Sequence, residues 1–128
     1  MYSVSLDVVV RDIVPRDAVL IWETASSVLG MSTYIGTVYA AWERPMAVSS
    51  PYINITQRDM AHVDVVDVRG IRATSPMQTI KDSIDNVHES YLAEMVEWAD
   101  RNGLESDVTR LFDDLGKSEM LTDLREPQ

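Results

Sequence analysis

The stretch Val65–Ser83, VVDVRGIRATSPMQTIKDS, decides the fold of this chain. Its β-branched valines predict a strand, Arg69-Gly70 predicts a tight turn, and Ile71–Thr74 predicts the return strand. Ser75 is suited to accept a hydrogen bond from the free N–H groups at the start of a helix, and Pro76 is favoured at the first helical position. The segment therefore joins a hairpin to a capped helix, and none of its side chains is an obvious catalyst.

The residues before this segment predict a β-rich half with one helix. Ser3–Val10 and Tyr52–Thr56 alternate apolar with polar residues, which is typical of half-buried strands, and Thr37–Trp42 is rich in strand-forming residues. An apolar stripe at helical spacing over residues 19–29, closed by Gly30, predicts the helix.

The residues after it predict helices that end near Gly103, Gly116 and the C-terminus. The predicted fold class is α+β, with about four to five short strands and one helix in the N-terminal half, packed against a C-terminal bundle of three to four helices. A chain of 128 residues fits one domain, so we predict a single domain over residues 1–128. It has a mixed β-rich part over residues 1–74 and a helical part over residues 75–126.

The net charge of −10 is concentrated in the helical part. Residues 1–72 carry six basic and eight acidic residues, whereas residues 73–128 carry five basic and thirteen acidic ones. Because nucleic-acid binding normally needs a basic face, direct nucleic-acid binding is disfavoured. A solvated acidic surface and a surface for a basic protein partner are both consistent with this charge.

Cysteine is absent, which excludes disulfides and thiolate metal sites. The sequence has no apolar run of membrane-spanning length and no basic signal-peptide start. We therefore expect a cytoplasmic protein that does not enter the membrane.

The sequence contains no recognisable catalytic or metal-binding motif. His62 and His88 lie 26 positions apart, without the close spacing of metal-ligating histidines. Asp64, Asp67 and Asp82 are the residues that a degenerate nuclease would use, but no acid-x-lysine pair follows a strand here. We expect a non-enzymatic protein without metal or cofactor, and keep the nuclease as an alternative.

Four aromatic residues in the β-rich half are candidates for a protein interface, since aromatic side chains are enriched at such surfaces. They are Tyr34, Tyr39, Trp42 and Tyr52.

The segment GIRATSPMQTIKDS resembles a motif of the AbiEi-type antitoxin family that reads approximately G-(I/V)-x-V-T-S-(P)-x-R-T-(L/I)-x-D-(L). Gln78 stands where the family usually has arginine. The matching positions are Gly70, Ile71, Thr74, Ser75, Pro76, Thr79, Ile80 and Asp82.

A second stretch, ETASSVLGMS over Glu23–Ser32, resembles a helix of the same family, so the resemblance spans roughly residues 18–116. It implies the C-terminal domain of a type IV toxin–antitoxin antitoxin, without the N-terminal winged helix-turn-helix of the family. The implied partner is a nucleotidyltransferase-like toxin of the AbiEii type, in an abortive-infection system that serves in phage defence.

The leading functional hypothesis is an antitoxin-like domain whose acidic helical half covers a basic site on the toxin. The candidate contact residues are Glu94, Glu97, Asp100, Asp113 and Asp114. The alternative is a protein-binding or dimerisation module of a phage or mobile-element accessory protein, which uses the region from Tyr34 to Tyr52.

Overall fold

The computed structural model describes residues 17–44 and 52–126. Within these ranges the chain forms a five-stranded mixed sheet and five helices, with the strands in the N-terminal half, which confirms the predicted α+β class. The strands are β1 (Val19–Leu20), β2 (Val38–Trp42), β3 (Ile53–Gln57), β4 (Val65–Val68) and β5 (Ile71–Thr74). The helices are α1 (Trp22–Val28), α2 (Pro76–Ser83), α3 (Glu89–Arg101), α4 (Glu105–Asp114) and α5 (Ser118–Arg125). The strand predicted at Ser3–Val10 lies outside the described residues.

The sheet has the strand order β3-β2-β1-β5-β4, so the two-residue strand β1 is its centre. Leu20 of β1 lies opposite Ala40 in the antiparallel neighbour β2 and opposite Ala73 in the parallel neighbour β5. β2 and β3 are also parallel, and their register places Val38 opposite Ile53.

The prediction that residues 19–29 form one helix is wrong at its start, because Val19 and Leu20 form β1 and the helix begins at Trp22. Each residue of Ala18–Ile21 is at most 4% exposed. Such a short, continuous apolar run fits a strand buried on both faces as well as it fits a helix, and periodicity cannot separate the two. The chain turns from β1 into α1 at Trp22, whose φ of 52° lies in the left-handed region.

The hairpin of β4 and β5 matches the sequence prediction. Arg69 and Gly70 have φ values of 52° and 83°, the left-handed pair that a two-residue hairpin turn requires to follow the twist of its strands. The Gly70 N–H also donates to Asp67 Oδ1 at 2.8 Å. Glycine is favoured at this position because it has no Cβ to oppose a positive φ.

The described residues form two apolar clusters. The sheet cluster contains residues of the strands and Ala25 of α1, and the helical cluster contains residues of α2 to α5. Met31, from the loop after α1, belongs to the helical cluster, and α1 packs against α2. The two clusters are therefore joined through α1 and the loop that follows it.

None of the helices in residues 17–44 and 52–126 is long and apolar enough to cross a membrane.

Candidate functional site

The motif of the resemblance forms a buried polar connection between β5 and α2. The hydroxyl groups of Thr74 and Thr79 lie 2.7 Å apart, and Thr79 Oγ1 also donates to the Thr74 carbonyl at 3.1 Å. Both residues are fully buried. Since buried hydroxyl groups are costly without partners, these mutual bonds allow the two threonines to lie inside the fold.

Ser75 caps α2 as the sequence predicts. Its Oγ accepts a hydrogen bond from the Gln78 N–H at 3.3 Å, and Pro76 occupies the start of the helix. The Ser75 N–H donates to the Asp64 carbonyl at 2.9 Å, which fixes the cap against the chain before β4. The cap therefore sets both the start of α2 and its position beside the hairpin.

Asp82 connects α2 to the end of β3. Its carboxylate accepts two hydrogen bonds from Arg58, at 2.8 Å and 3.2 Å, and one from Gln78 Nε2 at 3.0 Å. The Asp82 hydrogen bond raises the pKa of Arg58 above its ordinary value. Gln78 Oε1 in turn accepts from the Asp64 N–H at 3.2 Å. The motif from Gly70 to Asp82 therefore fixes α2 against β5, the end of β3 and the chain before β4.

The three aspartates of the nuclease hypothesis do not come together as a site. Asp67 bonds the hairpin turn and Asp82 pairs with Arg58, while the backbone of Asp64 bonds Ser75. Across the described part of the chain, no three histidine, aspartate or glutamate residues are grouped to hold a metal ion.

Tyr34 and Tyr39 lie in a cluster of rings that joins the two halves of the fold. Tyr34 packs edge-on against Tyr91 of α3, with 5.4 Å between the ring centroids. Tyr39 lies 5.3 Å from Trp22 and 6.5 Å from Tyr34. Burial, followed by the nearby Tyr39 and Glu23, raises the pKa of Tyr34 to about 12. Trp22 and Tyr91 join this group through Tyr39 and Tyr34, a proximity that the spacing of these residues in the sequence does not predict.

Trp42 and Tyr52 lie at opposite ends of the parallel β2–β3 pair. Trp42 ends β2, where its hydrogen bond to Asp17 lowers the pKa of that carboxyl group, and the Arg44 guanidinium lies 5.8 Å from its ring. Tyr52 precedes β3, is 76% exposed, and its carbonyl accepts from the Val38 N–H at 2.8 Å. The four predicted aromatic residues are thus divided between at least two surfaces.

An open groove of about 890 Å³ lies between α3 and α5. We call it the acidic groove, because its lining contains six carboxylates against two guanidinium groups. The acidic residues are Glu89, Glu94, Glu97, Asp100, Asp123 and Glu126. Three of the five predicted acidic contact residues, Glu94, Glu97 and Asp100, therefore share one surface.

Asp100 differs from its neighbours in the acidic groove because it is held in an ion pair. Arg125 Nη2 and Nε lie 2.9 Å and 3.0 Å from its two carboxylate oxygens. Arg125 also donates to Thr109 Oγ1 at 3.0 Å and to the Glu105 carbonyl at 3.2 Å. This network fixes α5 against α3 and α4, and uses most of the hydrogen-bonding capacity of Arg125.

Asp113 and Asp114 lie elsewhere, in a shallow depression on α4 beside Glu105 and Arg110. Asp113 also accepts a hydrogen bond from the Ser118 hydroxyl at the start of α5. The structure therefore separates the predicted acidic residues into two sites. Glu89 was not among the predicted contact residues, although its helical spacing from Glu97 places both on one side of α3. Asp123 and Glu126 belong to the groove because α5 packs beside α3, which the sequence does not show.

Comparison of the chain with models of known protein families, with curated proteins and with solved structures finds no significant match. The relation to AbiEi-type antitoxins therefore stays a prediction that rests on the residues quoted for it.

Proposed function

We propose that this protein is a non-enzymatic, antitoxin-like domain that acts in the cytoplasm by binding and neutralising a nucleotidyltransferase toxin of an abortive-infection system. The observation that carries the proposal is the acidic groove, whose lining contains six carboxylates, of which only Asp100 forms an ion pair with another described residue. An enzyme that binds nucleotide phosphates or RNA presents a positively charged site. Complementary charge favours association of that site with the negatively charged groove.

The proposal assigns direct contact to Glu94 and Glu97. Both are exposed, and neither forms an ion pair with another described residue. Asp100 is given a different role, because its bond to Arg125 fixes the wall of the groove. The resemblance of Gly70–Asp82 to the antitoxin motif supports the kind of partner, while the groove supports the manner of binding.

Growth of cells that carry a nucleotidyltransferase toxin encoded beside this chain tests the proposal. Co-expression of the chain should restore growth, and Glu94→Lys together with Glu97→Lys should weaken the rescue at equal protein level. Failure of the unmodified chain to restore growth with each adjacent nucleotidyltransferase would refute the antitoxin function.

A second candidate function, a protein-binding or dimerisation module, is favoured by an exposed apolar side chain next to β2. Ile35 is 93% exposed, in a loop where the Tyr34 hydroxyl donates to the Thr37 carbonyl at 3.0 Å. A Cβ at Gly36 would lie 2.7 Å from the Tyr34 hydroxyl oxygen, so the close fit of this loop depends on glycine.

Sedimentation velocity distinguishes this second function. A dimer that Ile35→Asp converts to a monomer would support it, since an exposed apolar anchor is typical of protein interfaces. A monomer at every concentration, together with growth rescue that Ile35→Asp does not change, would leave the antitoxin function alone.

A further inference from the structure

We propose that the edge strand β3 pairs in antiparallel fashion with β3 of a second copy of this chain, so that two sheets join into one across a twofold axis. The inference does not depend on the antitoxin function. It also uses a surface other than the loop of Ile35, which carries the second candidate function.

One side of β3 is open for pairing. β3 is the end strand of the sheet and pairs only with β2 among the described residues. The Tyr52 carbonyl accepts from the Val38 N–H at 2.8 Å, and the Arg58 N–H donates to the Trp42 carbonyl at 2.9 Å. Because alternate residues of a strand direct their backbone groups to the same side, the even-numbered residues bond β2. The odd-numbered residues of β3, whose N–H and C=O groups therefore point to the open edge, are Ile53, Ile55 and Gln57.

The side chains of β3 leave this edge open to another strand. β3 carries no charged side chain, whereas β4, at the other end of the sheet, exposes Asp67. A charge on an edge strand opposes pairing with another chain. Ile53 and Ile55 pack against the sheet cluster, while Asn54 and Thr56 are exposed on the opposite face. β3 therefore offers an uncharged edge with one apolar and one polar face.

One register uses every outward backbone group of β3. In an antiparallel pair centred on Ile55, Ile55 lies opposite its copy and Ile53 lies opposite Gln57. Each of these pairs exchanges both of its N–H···O=C bonds. A register centred on any other residue of β3 leaves at least one outward residue without an opposite residue in the strand. The same register places Asn54 opposite Thr56 on the other face, where both side chains are polar and uncharged.

The strand is complementary to itself, which favours a second copy as the occupant. The twofold pairing places the apolar row of β3 beside the same row of the copy, and Tyr52, which is 76% exposed, opposite Arg58 of the copy. Residues 1–72 carry eight acidic residues against six basic ones, while residues 73–128 carry thirteen against five. Pairing through β3 therefore meets less repulsion between like charges than contact through the helical part.

Sedimentation equilibrium of the full chain measures the pairing. We expect a reversible equilibrium between monomer and dimer with a Kd in the micromolar range, because an edge of five residues gives an interface at the low end of the usual sizes. A monomer at every concentration up to the millimolar range would overturn the inference, and would leave the edge to an extended segment of another protein.

Two substitutions at Gln57 separate the backbone from the side chain. Gln57→Pro removes an N–H that points to the open edge, and the bonds between β3 and β2 keep their donors, so the edge strand tolerates it. Gln57→Ala keeps the N–H, and both variants lose the bond from Gln57 Nε2 to the Glu43 carbonyl at 3.2 Å.

Gln57→Pro should raise the Kd of the dimer about tenfold or more, because the twofold axis repeats the loss of the hydrogen bond. Gln57→Ala should change the Kd by less than about threefold. Far-UV circular dichroism shows that both variants keep the fold. Equal Kd values for the two variants would overturn the inference.

Charges on the exposed face of β3 test the register. Asn54→Asp with Thr56→Asp places like charges opposite each other and should raise the Kd about fivefold or more. Asn54→Lys with Thr56→Asp places opposite charges there and should leave the dimer at least as stable as that of the unmodified chain. The same effect in both double variants would overturn the proposed register.

Amide hydrogen exchange measured by NMR locates the contact. The N–H groups of Ile55 and Gln57 should exchange more slowly as the protein concentration rises, because only the dimer gives them partners. The N–H groups of Asn54 and Thr56 bond β2 in the monomer and should change little. Exchange at Ile55 that does not depend on concentration, in a sample that is dimeric by sedimentation, would overturn the inference.

Ile35→Asp separates this inference from the second candidate function. The dimer should persist in Ile35→Asp and weaken in Gln57→Pro. The reverse result would place the interface at the loop before β2 and overturn the inference. If the dimer forms through β3 while no toxin is neutralised, the assignment of β3 stands and the antitoxin function fails.

Discussion

The serines at the two ends of α2, the N-cap Ser75 and the last residue Ser83, differ in whether their hydroxyl groups have partners. Ser75 Oγ accepts the capping bond from the Gln78 N–H, whereas Ser83 Oγ is buried without a partner in the part of the chain that is described. An unpaired buried polar group costs about 1–3 kcal/mol, and loss of an N-cap costs about 1 kcal/mol.

We therefore expect Ser83→Ala to raise the free energy of unfolding by about 1 kcal/mol and Ser75→Ala to lower it by about 1 kcal/mol. Urea denaturation of both variants measures this directly. Each variant serves as the control for the other, because the same chemical change is made in one helix. Changes of the same sign in both variants would contradict these assignments.

Tyr34 makes the stability dependent on pH in the alkaline range. Burial raises its pKa from 10.0 to about 12, so the folded state favours the neutral phenol. A raised pKa contributes stability that is complete below the unfolded value and is lost as the pH rises through the folded value.

The free energy of unfolding of the unmodified chain should therefore fall relative to that of Tyr34→Phe as the pH rises from about 10 to about 12. The variant removes the titrating group and leaves the other tyrosines as an internal control. A difference that stays constant over this range would show that burial does not perturb Tyr34.

The two-residue strand β1 lies at the centre of the sheet, so we expect substitution of its buried side chains to lower the free energy of unfolding strongly. Leu20 is 1% exposed and lies between β2 and β5, whereas Ile35 is 93% exposed. Leu20→Ala should lower the free energy of unfolding by about 3 kcal/mol, because removal of buried methyl groups leaves a cavity. Ile35→Ala deletes similar apolar atoms at an exposed position and should change it by less than about 0.5 kcal/mol. Similar losses in the two variants would contradict the central position of β1.

The elements also show how far the sequence predicts this fold. Residues 65–83 were predicted correctly, because the glycine turn, the serine cap and the helix start are local signals. Val19 and Leu20 were predicted to begin a helix, because their place in a central strand depends on pairing with residues far along the chain. The sequence also does not predict the ion pair between Arg58 and Asp82 or the position of Asp123 in the acidic groove. Both depend on how elements distant in the chain pack together.

At the scale of the molecule, the sheet and helical clusters should unfold together. Met31 extends from the N-terminal half into the helical cluster, Tyr34 contacts Tyr91, and Arg58 pairs with Asp82. Contacts of this kind between two clusters couple their stabilities and favour a single transition.

Urea unfolding of the variant Trp98→Phe checks this coupling. Its remaining tryptophans, Trp22 and Trp42, report on the N-terminal half by fluorescence, while circular dichroism at about 222 nm reports mainly on the helices. The two signals should give coincident curves, as two-state unfolding requires. Separate midpoints would divide the chain into two independent units and contradict the predicted single domain.

The charge of the whole molecule leads to the most direct test of the proposed function. Thirteen of the twenty-one acidic residues lie in residues 73–128, and the acidic groove places six of them on one surface. A partner recognised through this surface should bind in a manner that depends on salt, because exposed charges are screened as ionic strength rises.

Titration calorimetry of this chain with the purified nucleotidyltransferase toxin measures that contact. We expect saturable binding that weakens as salt increases and is reduced about tenfold or more by Glu94→Lys with Glu97→Lys. Absence of binding at low salt, with a chain that still restores growth in cells carrying the toxin, would contradict neutralisation by direct contact.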